Sequence, residues 1–363
     1  MERTPDDDRW NDLFNQERLR VIGALGMIAD GGIVEHIEHV GATSVPGLLG
    51  QPYIDTAISA WPFPLEESDR RAIESLGYEL DPDSPRAQEQ RFRRADSPFR
   101  LYVAEAGSAL WADYALVRDY LRQDEAAMHA LSTRKQEWAD NTASPGYQEA
   151  KEEWLGQLAE DAHQLWIERE QFGPVQRVAD ELRDMACPWY ICGGWALDLF
   201  RSQVSRVHFD VDMIVPRADQ LVMQKHLVDR GWSLVTSALD GPRLKPWPPY
   251  MRLEPPRHQA HALRDGAFID ILLTDLDGAW HYRREPTIIR DLSRIGLRSP
   301  EGISFLAPEL VLLFKSANTS GRERINDQRD FEGTYASLEP ERRAWLRWAL
   351  TAVDPAHPWI ERL

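Results

Sequence analysis

The sequence predicts an α/β chain, in the α+β sense, of two successive units. Each is a small mixed sheet with flanking helices, followed by a helical segment. Three observations carry this expectation. Short runs with strand-like alternation give way to helical spacing, and this happens twice along the 363 residues. Turns rich in Gly and Pro separate the runs. The charge divides with the pattern: residues 1–170 hold 17 Lys and Arg against 33 Asp and Glu, a net of −16. Residues 171–363 hold 25 against 26, a net of −1. The length suits two domains of roughly 100–200 residues, expected over 1–168 and 172–363.

In the first unit, "FNQERLRVIGALGMIADGG" reads as a helix ending at a glycine pair. "IVEHIEHVG" alternates as a strand, "GATSVPGLLGQP" is a loop, and "YIDTAISAW" is a second strand. "EESDRRAIESLGY" reads as a helix, "FRLYVAEAG" as a third strand, and the pattern is helical from Ala109 to about Glu168. In the second unit, "VQRVADELRDM" is helical and "WYIC" is a short strand running into Gly193-Gly194. "WALDLFRSQ" is a helix, "VHFDVDMIV" a strand, and "ADQLVMQKHLVDRGW" a helix ending at Gly231. "AHALRDGAFIDILLTD" reads as two strands about a turn at Asp265-Gly266, and helices follow from "APELVLLFKSAN" to the end.

Three features of the second unit point to chemistry. Gly193-Gly194 lies between a strand and a helix, where missing side chains let a phosphate approach the backbone. Asp210 and Asp212 alternate within an apolar strand and so share one face. Two like charges there resist burial, and a hard cation such as Mg²⁺ would cancel their repulsion. Asp270 interrupts the apolar run "AFIDILLTD" and calls for a partner; it is expected as a third metal ligand or a general base. Lys315 is the candidate cation for a departing pyrophosphate, with Arg206 and His208 as further candidates. His208 lies near the proposed metal or braces the strand. Trp247 and Tyr250 read as loop anchors or stacking groups, and His258 and His261 as structural.

These residues support a resemblance. "GGWALDLFRSQVSRVHFDVDMIV", then "EPPRHQAHALRDGAFIDILL", "APELVLLFKSA", "DQRDFEG" and "HPWIERL", resembles in order the aminoglycoside 2''-adenylyltransferase type of nucleotidyltransferase. The resemblance implies a nucleotidyltransferase fold and a triphosphate held by Gly193 and Gly194. It implies Mg²⁺ on Asp210 and Asp212 and a catalytic Asp270. In the first unit, "IEHVGATSVPGLLGQPYIDTAIS", and later "VRDYLRQDEAAMHALSTRKQEWA" with Tyr147 and Lys151, is similar to the GrpB family, which shares that fold. Ala42 and Gln51 depart from the serine and lysine usual there. Asp55 is a lone carboxylate, with Ala57 expected in place of the second one. That unit is therefore expected to be non-catalytic.

The expected function is Mg²⁺-dependent transfer of a nucleoside monophosphate, AMP from ATP, to a hydroxyl of a small molecule. A cationic, aminoglycoside-like antibiotic is the leading acceptor, which would make the protein a resistance factor. The alternatives are a toxin-type nucleotidyltransferase acting on tRNA or protein, and a non-catalytic nucleotide-binding regulator. A net charge of −17 disfavours nucleic acid. No apolar run reaches the ~18 residues of a membrane span, and the acidic N-terminus is not a secretory signal. The expectation is a cytoplasmic protein and possible homo-oligomer, with Cys187 and Cys192 free and partly buried.

Overall fold

The computed structural model describes residues 2–3, 8–82, 84, 89–95, 97–106, 108–140, 147–208, 210–237, 243–264, 267–316 and 325–363. The chain divides into two compact units. One comprises Met1–Arg169 with Val235–Pro246, the other Glu170–Leu234 with Trp247–Leu363. Both are mixed α/β. No helix among the described residues is long and apolar enough to cross a membrane.

The first unit has strands β1 (Val34–Val40), β2 (Ile54–Ala60), β3 (Tyr78–Leu80), β4 (Glu89–Arg94) and β5 (Phe99–Glu105), in the order β1-β2-β5-β4-β3. β2 and β5 are parallel and the other pairs antiparallel. Helices α1 (Asp8–Leu25) and α2 (Glu67–Ser75) pack on this sheet. Val21, Ile33, Ile54, Ile58, Ile73, Phe92, Leu101 and Val103 form its core, as the alternation of β-branched and aromatic residues requires. β1, β2 and β5 fall where the sequence predicts strands; β3 and β4 are additional, since their polar "YEL" and "EQRFRR" carry little apolar signal. Helices α3 (Ala109–Gln123), α4 (Glu125–Asp140) and α5 (Tyr147–Glu170) follow. Their Leu121, Met128, Leu131 and Leu158 pack with Ala42, Val45 and Leu48, which fixes the loop after β1. Arg243, on the Val235–Pro246 segment of this unit, donates to both Asp69 carboxylate oxygens at 2.6 and 2.7 Å.

The second unit opens with α6 (Gly173–Leu182), β6 (Tyr190–Ile191) and α7 (Gly193–Arg201). β7 (Val211–Pro216) and α8 (Gln220–Val228) come next, then β8 (Gln259–Arg264) and β9 (Ala267–Thr274). The turn expected at Asp265-Gly266 lies outside the described residues. β10 (Gly296–Arg298) and β11 (Ser304–Leu306) precede helices α9 (Pro308–Ser316), α10 (Ile325–Thr334) and α11 (Pro340–Val353). These strands run in the order β8-β9-β7-β6-β11-β10. β7 lies parallel to β9 and antiparallel to β6. Along β9, Ile269, Ile271 and Leu273 are buried while Asp270 falls on the alternate, half-open face. The expected strand from Val207 is shorter: it begins at Val211, so Asp210 sits on the bend that enters it.

Candidate active site

The parallel pairing of β7 with β9 sets Asp212 directly beside Asp270. Parallel partners share a face, so both carboxylates point the same way. Asp210, two residues earlier, joins them, and its carbonyl oxygen accepts from Trp195 Nε1 at 3.0 Å. Each of the three offers a carboxylate oxygen, all within 4.8 Å of one another. Burial, then Asp210 and Asp270, push the Asp212 carboxyl well above the usual range, against the opposing pull of Lys315 and Arg206. Half-buried, mutually repelling hard oxygens are a donor set that fits a divalent cation such as Mg²⁺. Gln259 Nε2 donates to both oxygens of Asp270, at 3.0 and 2.8 Å. His261 pairs with Asp270 across the ladder, with Nδ1 at 3.3 Å from Oδ1.

The glycine pair also has a packing use. Gly193 has φ +61°, and a Cβ there would lie 1.8 Å from Asp212 Oδ2. A Cβ on Gly194 would lie 2.3 Å from His208 Cε1 and 2.6 Å from an Arg206 guanidinium nitrogen. The space left by the missing side chains is thus taken by the site's own carboxylate and its supports. Gly193 still lines the cavity described below.

His208 braces. It is buried, its Nε2 lies 2.7 Å from Asp198 Oδ2, and its ring packs on Trp195 at 4.5 Å. Asp198 also accepts from Ser205 and Arg201. Burial would raise the Asp198 carboxyl, but His208 and Ser205 hold it below the usual range. This network fixes the turn that delivers Asp210. The sequence reading did not single out Asp198, although a carboxylate within "WALDLF" carries the same signal as Asp270: a buried charge that needs a partner.

The site opens into a cavity of about 1080 Å³ lined wholly by the second unit, with Gly193 and Asp212 among its walls. Lys315 lines it too, but its ammonium is neutralised by Asp327 at 2.7 Å and Asp330 at 2.9 Å. Arg206 donates to Val207 O at 3.1 Å and to Asp330 at 3.4 Å. Both expected phosphate cations are therefore tied to carboxylates. Arg283 and Arg284, which the sequence reading passed over, line the cavity with no carboxylate partner among the described residues. Beside them lies His258, whose pKa is lowered by burial and by Arg283, Arg217 and Arg284, so it is part of the cavity rather than only structural. Trp247 is an anchor, donating through Nε1 to Met251 O at 2.8 Å, while Tyr250 is exposed. Both cysteines are free; Cys192 is buried, and burial followed by the three aspartates raises its thiol pKa well above the usual range.

The first unit repeats this ladder with other side chains. Cys192 N donates to Asp212 O at 2.8 Å, and Asp212 pairs with Asp270. Val40 pairs with Asp55, and Asp55 with Arg100. Each ladder is followed by a positive-φ glycine, Gly41 (φ +72°) in the first unit, where a Cβ would lie 2.1 Å from Asp55 Oδ2. Asp55 therefore stands at the place of Asp212, Tyr53 at that of Asp210 and Arg100 at that of Asp270. This corrects the expectation that Ala57 replaces the second carboxylate. The first and third are the ones replaced, and Arg100 stacks on the Tyr53 ring at 3.4 Å.

Two family models match the chain, in different places. Residues 2–161 match the family model described as GrpB protein, and residues 174–255 match that of aminoglycoside-2''-adenylyltransferase. The chain thus joins a segment similar to GrpB protein to a segment similar to aminoglycoside-2''-adenylyltransferase. The chain is similar to a UPF0157 protein of Streptomyces coelicolor, 36% identical over 121 residues, which are 32% of this chain and 59% of that protein. The chain thus spans about three-fifths of the length of that curated relative. Among solved structures, GrpB from Enterococcus faecalis has a TM-score of 0.37 at 20% identity, covering 43% of this chain and 93% of that one. ANT(2")-Ia in complex with adenylyl-2"-tobramycin has a TM-score of 0.36 at 16% identity, covering 50% and 98%. The three-carboxylate cluster lies in the second unit, and at the matching ladder positions the first unit has one carboxylate, Asp55.

Proposed function

We propose that the second unit transfers a nucleoside monophosphate, AMP from ATP, to a hydroxyl of a small molecule. The observation that carries this reading is the meeting of Asp210, Asp212 and Asp270, of which Asp212 lines a cavity that also holds Arg283 and Arg284, neither with a carboxylate partner among the described residues. Asp210 and Asp212 would hold Mg²⁺, which neutralises phosphate charge and orients the reacting oxygens when bound. Arg283 and Arg284 bind the β- and γ-phosphates, since their guanidinium groups are not committed to carboxylates. Asp270, oriented by Gln259, accepts the proton of the acceptor hydroxyl. The hydroxyl oxygen bonds to the α-phosphorus, the bond from that phosphorus to the bridging oxygen breaks, and pyrophosphate leaves. The match to the aminoglycoside-2''-adenylyltransferase model makes an aminoglycoside-like antibiotic the leading acceptor.

The test is pyrophosphate release from each of the four NTPs with Mg²⁺ and a panel of antibiotics. Release that requires an antibiotic, requires Mg²⁺ and disappears in Asp210→Ala is the expected result. Label transfer to RNA or protein, with no small acceptor active, would replace this reading with a toxin-type one. Binding of ATP without turnover would replace it with a regulatory one.

A further inference from the structure

In the first unit, two lysines of the helical segment occupy unusual places. On α4, Met128, Leu131, Lys135 and Trp138 follow one another at helical spacing along one face, and that face packs on the loop after β1. On α5, Lys151, Trp154 and Leu158 do the same. Both lysines therefore sit on the packed stripes of their helices, where an ammonium is costly unless it meets an opposite charge. Lys135 reaches to 3.9 Å from the Cβ position of Gly50, beside the Gly41–Val45 loop. The Lys151 ammonium lies 5.9 Å from the centroid of the Trp138 ring. Burial lowers the Lys135 pKa; Asp55 pulls it up and Lys151 pushes it further down. No ion pair involves Lys135, Lys151 or Arg100 among the described residues.

The carboxylate at this place, Asp55, does not balance the cations that act on it. Asp55 accepts from Tyr102 Oη at 3.2 Å, and burial outweighs Arg100, Tyr102 and Lys135, pushing its pKa up to about 6. Arg100 and Lys135 thus act on one carboxylate, with Lys151 beside Lys135, at the ladder position where the second unit places three carboxylates. The loop between them is rigidly held. Thr43 Oγ1 donates to Tyr53 O at 2.6 Å and lies 2.9 Å from His39 Nε2, and Arg122 Nε donates to Ser44 O at 2.8 Å.

We propose that Lys135, Lys151 and Arg100 form a metal-independent binding site in the first unit for the phosphoryl group of a phosphorylated small molecule. The two ammonium groups and the guanidinium take the place that a cation would take in the second unit, and the ligand brings the missing negative charge. Tyr53, with Arg100 stacked on its face, closes the position that Asp210 occupies in the other ladder. The site is independent of what the second unit catalyses. A free phosphate, a diphosphate and a nucleotide share this recognition chemistry, and they are separated by the probes below.

The experiment is titration calorimetry of the full chain with inorganic phosphate, pyrophosphate and ADP, in EDTA. It is run in an Arg283→Met/Arg284→Met background, so that these two cavity arginines of the second unit do not contribute. The expected result is saturable binding of at least one probe, weakened tenfold or more by Lys135→Met or Lys151→Met. Lys135→Arg, which keeps the charge, retains affinity within a few-fold and separates charge from folding. Asp55→Asn tightens binding, because it removes the like charge, whereas a metal-dependent site would weaken. Absence of saturable binding, affinity unchanged in both lysine variants, or a requirement for Mg²⁺ would each overturn the proposal.

Discussion

Asp212 and Asp55 occupy one position in two copies of the same ladder, and their surroundings differ in sign. Asp212 meets Asp210 and Asp270, while its nearby cations, Lys315 and Arg206, are absorbed by Asp327 and Asp330. Asp55 meets Tyr53 and Arg100, with Lys135 and Lys151 beyond. Burial raises both carboxyl groups. In the second unit, neighbouring carboxylates add to that rise; in the first, neighbouring cations oppose it. The lesson is that a backbone device, a strand carboxylate packed against a positive-φ glycine, does not fix the ligand. The charges on the adjacent strand and helices do.

The largest expected contrast is in metal response. Asp212→Asn should reduce nucleotidyl transfer by at least about a thousandfold, and should abolish the rise in melting temperature that Mg²⁺ gives the wild type. Asp55→Asn should keep the whole of that Mg²⁺-induced rise. If the two variants respond alike, the two ladders are not different in kind.

A smaller contrast comes from the glycine. The added methyl of Gly193→Ala would collide with Asp212 Oδ2 and strain a backbone at φ +61°. A displacement of about an ångström in a catalytic group costs on the order of a hundredfold, so kcat/KM should fall by about that factor. Turnover within a few-fold of wild type would show that Asp212 tolerates displacement.

The smallest effect is on stability and depends on pH. The Asp55 carboxyl is near 6 in the folded protein and about 3.9 in an unfolded chain. The folded state therefore binds the proton more tightly, and wild-type stability falls as pH rises from about 4 through 6. Asp55→Asn lacks this loss. It should be more stable than the wild type by roughly 1–3 kcal/mol at pH 7.5, with the difference closing near pH 4. Urea unfolding at the two pH values measures it, and a constant difference would place the Asp55 carboxyl at its ordinary value.

Much of this was legible in the residues. The alternation of apolar runs located the principal strands, because burial of one sheet face imposes a period of two. Asp270 announced itself as a charge inside an apolar run, and Gly193 as a glycine between strand and helix. The strands Tyr78–Leu80, at the sheet edge, and Glu89–Arg94, beside it, did not, since both carry mostly polar side chains. Lys315 read as a free phosphate ligand because nothing local shows that Asp327 and Asp330, 12 and 15 positions along the chain, close on it.

By itself, then, the sequence determined which segments become strands and helices and which residues carry unusual charge. Those are local properties, set by side-chain period and backbone permissiveness. The tertiary structure alone decided the register. It placed Asp55 rather than Ala57 opposite Gly41, set Arg100 where the other unit has Asp270, and turned Lys135 toward the loop after β1. Register is fixed by hydrogen bonds between strands distant in the chain, and moving it by a single residue carries each side chain to the other face.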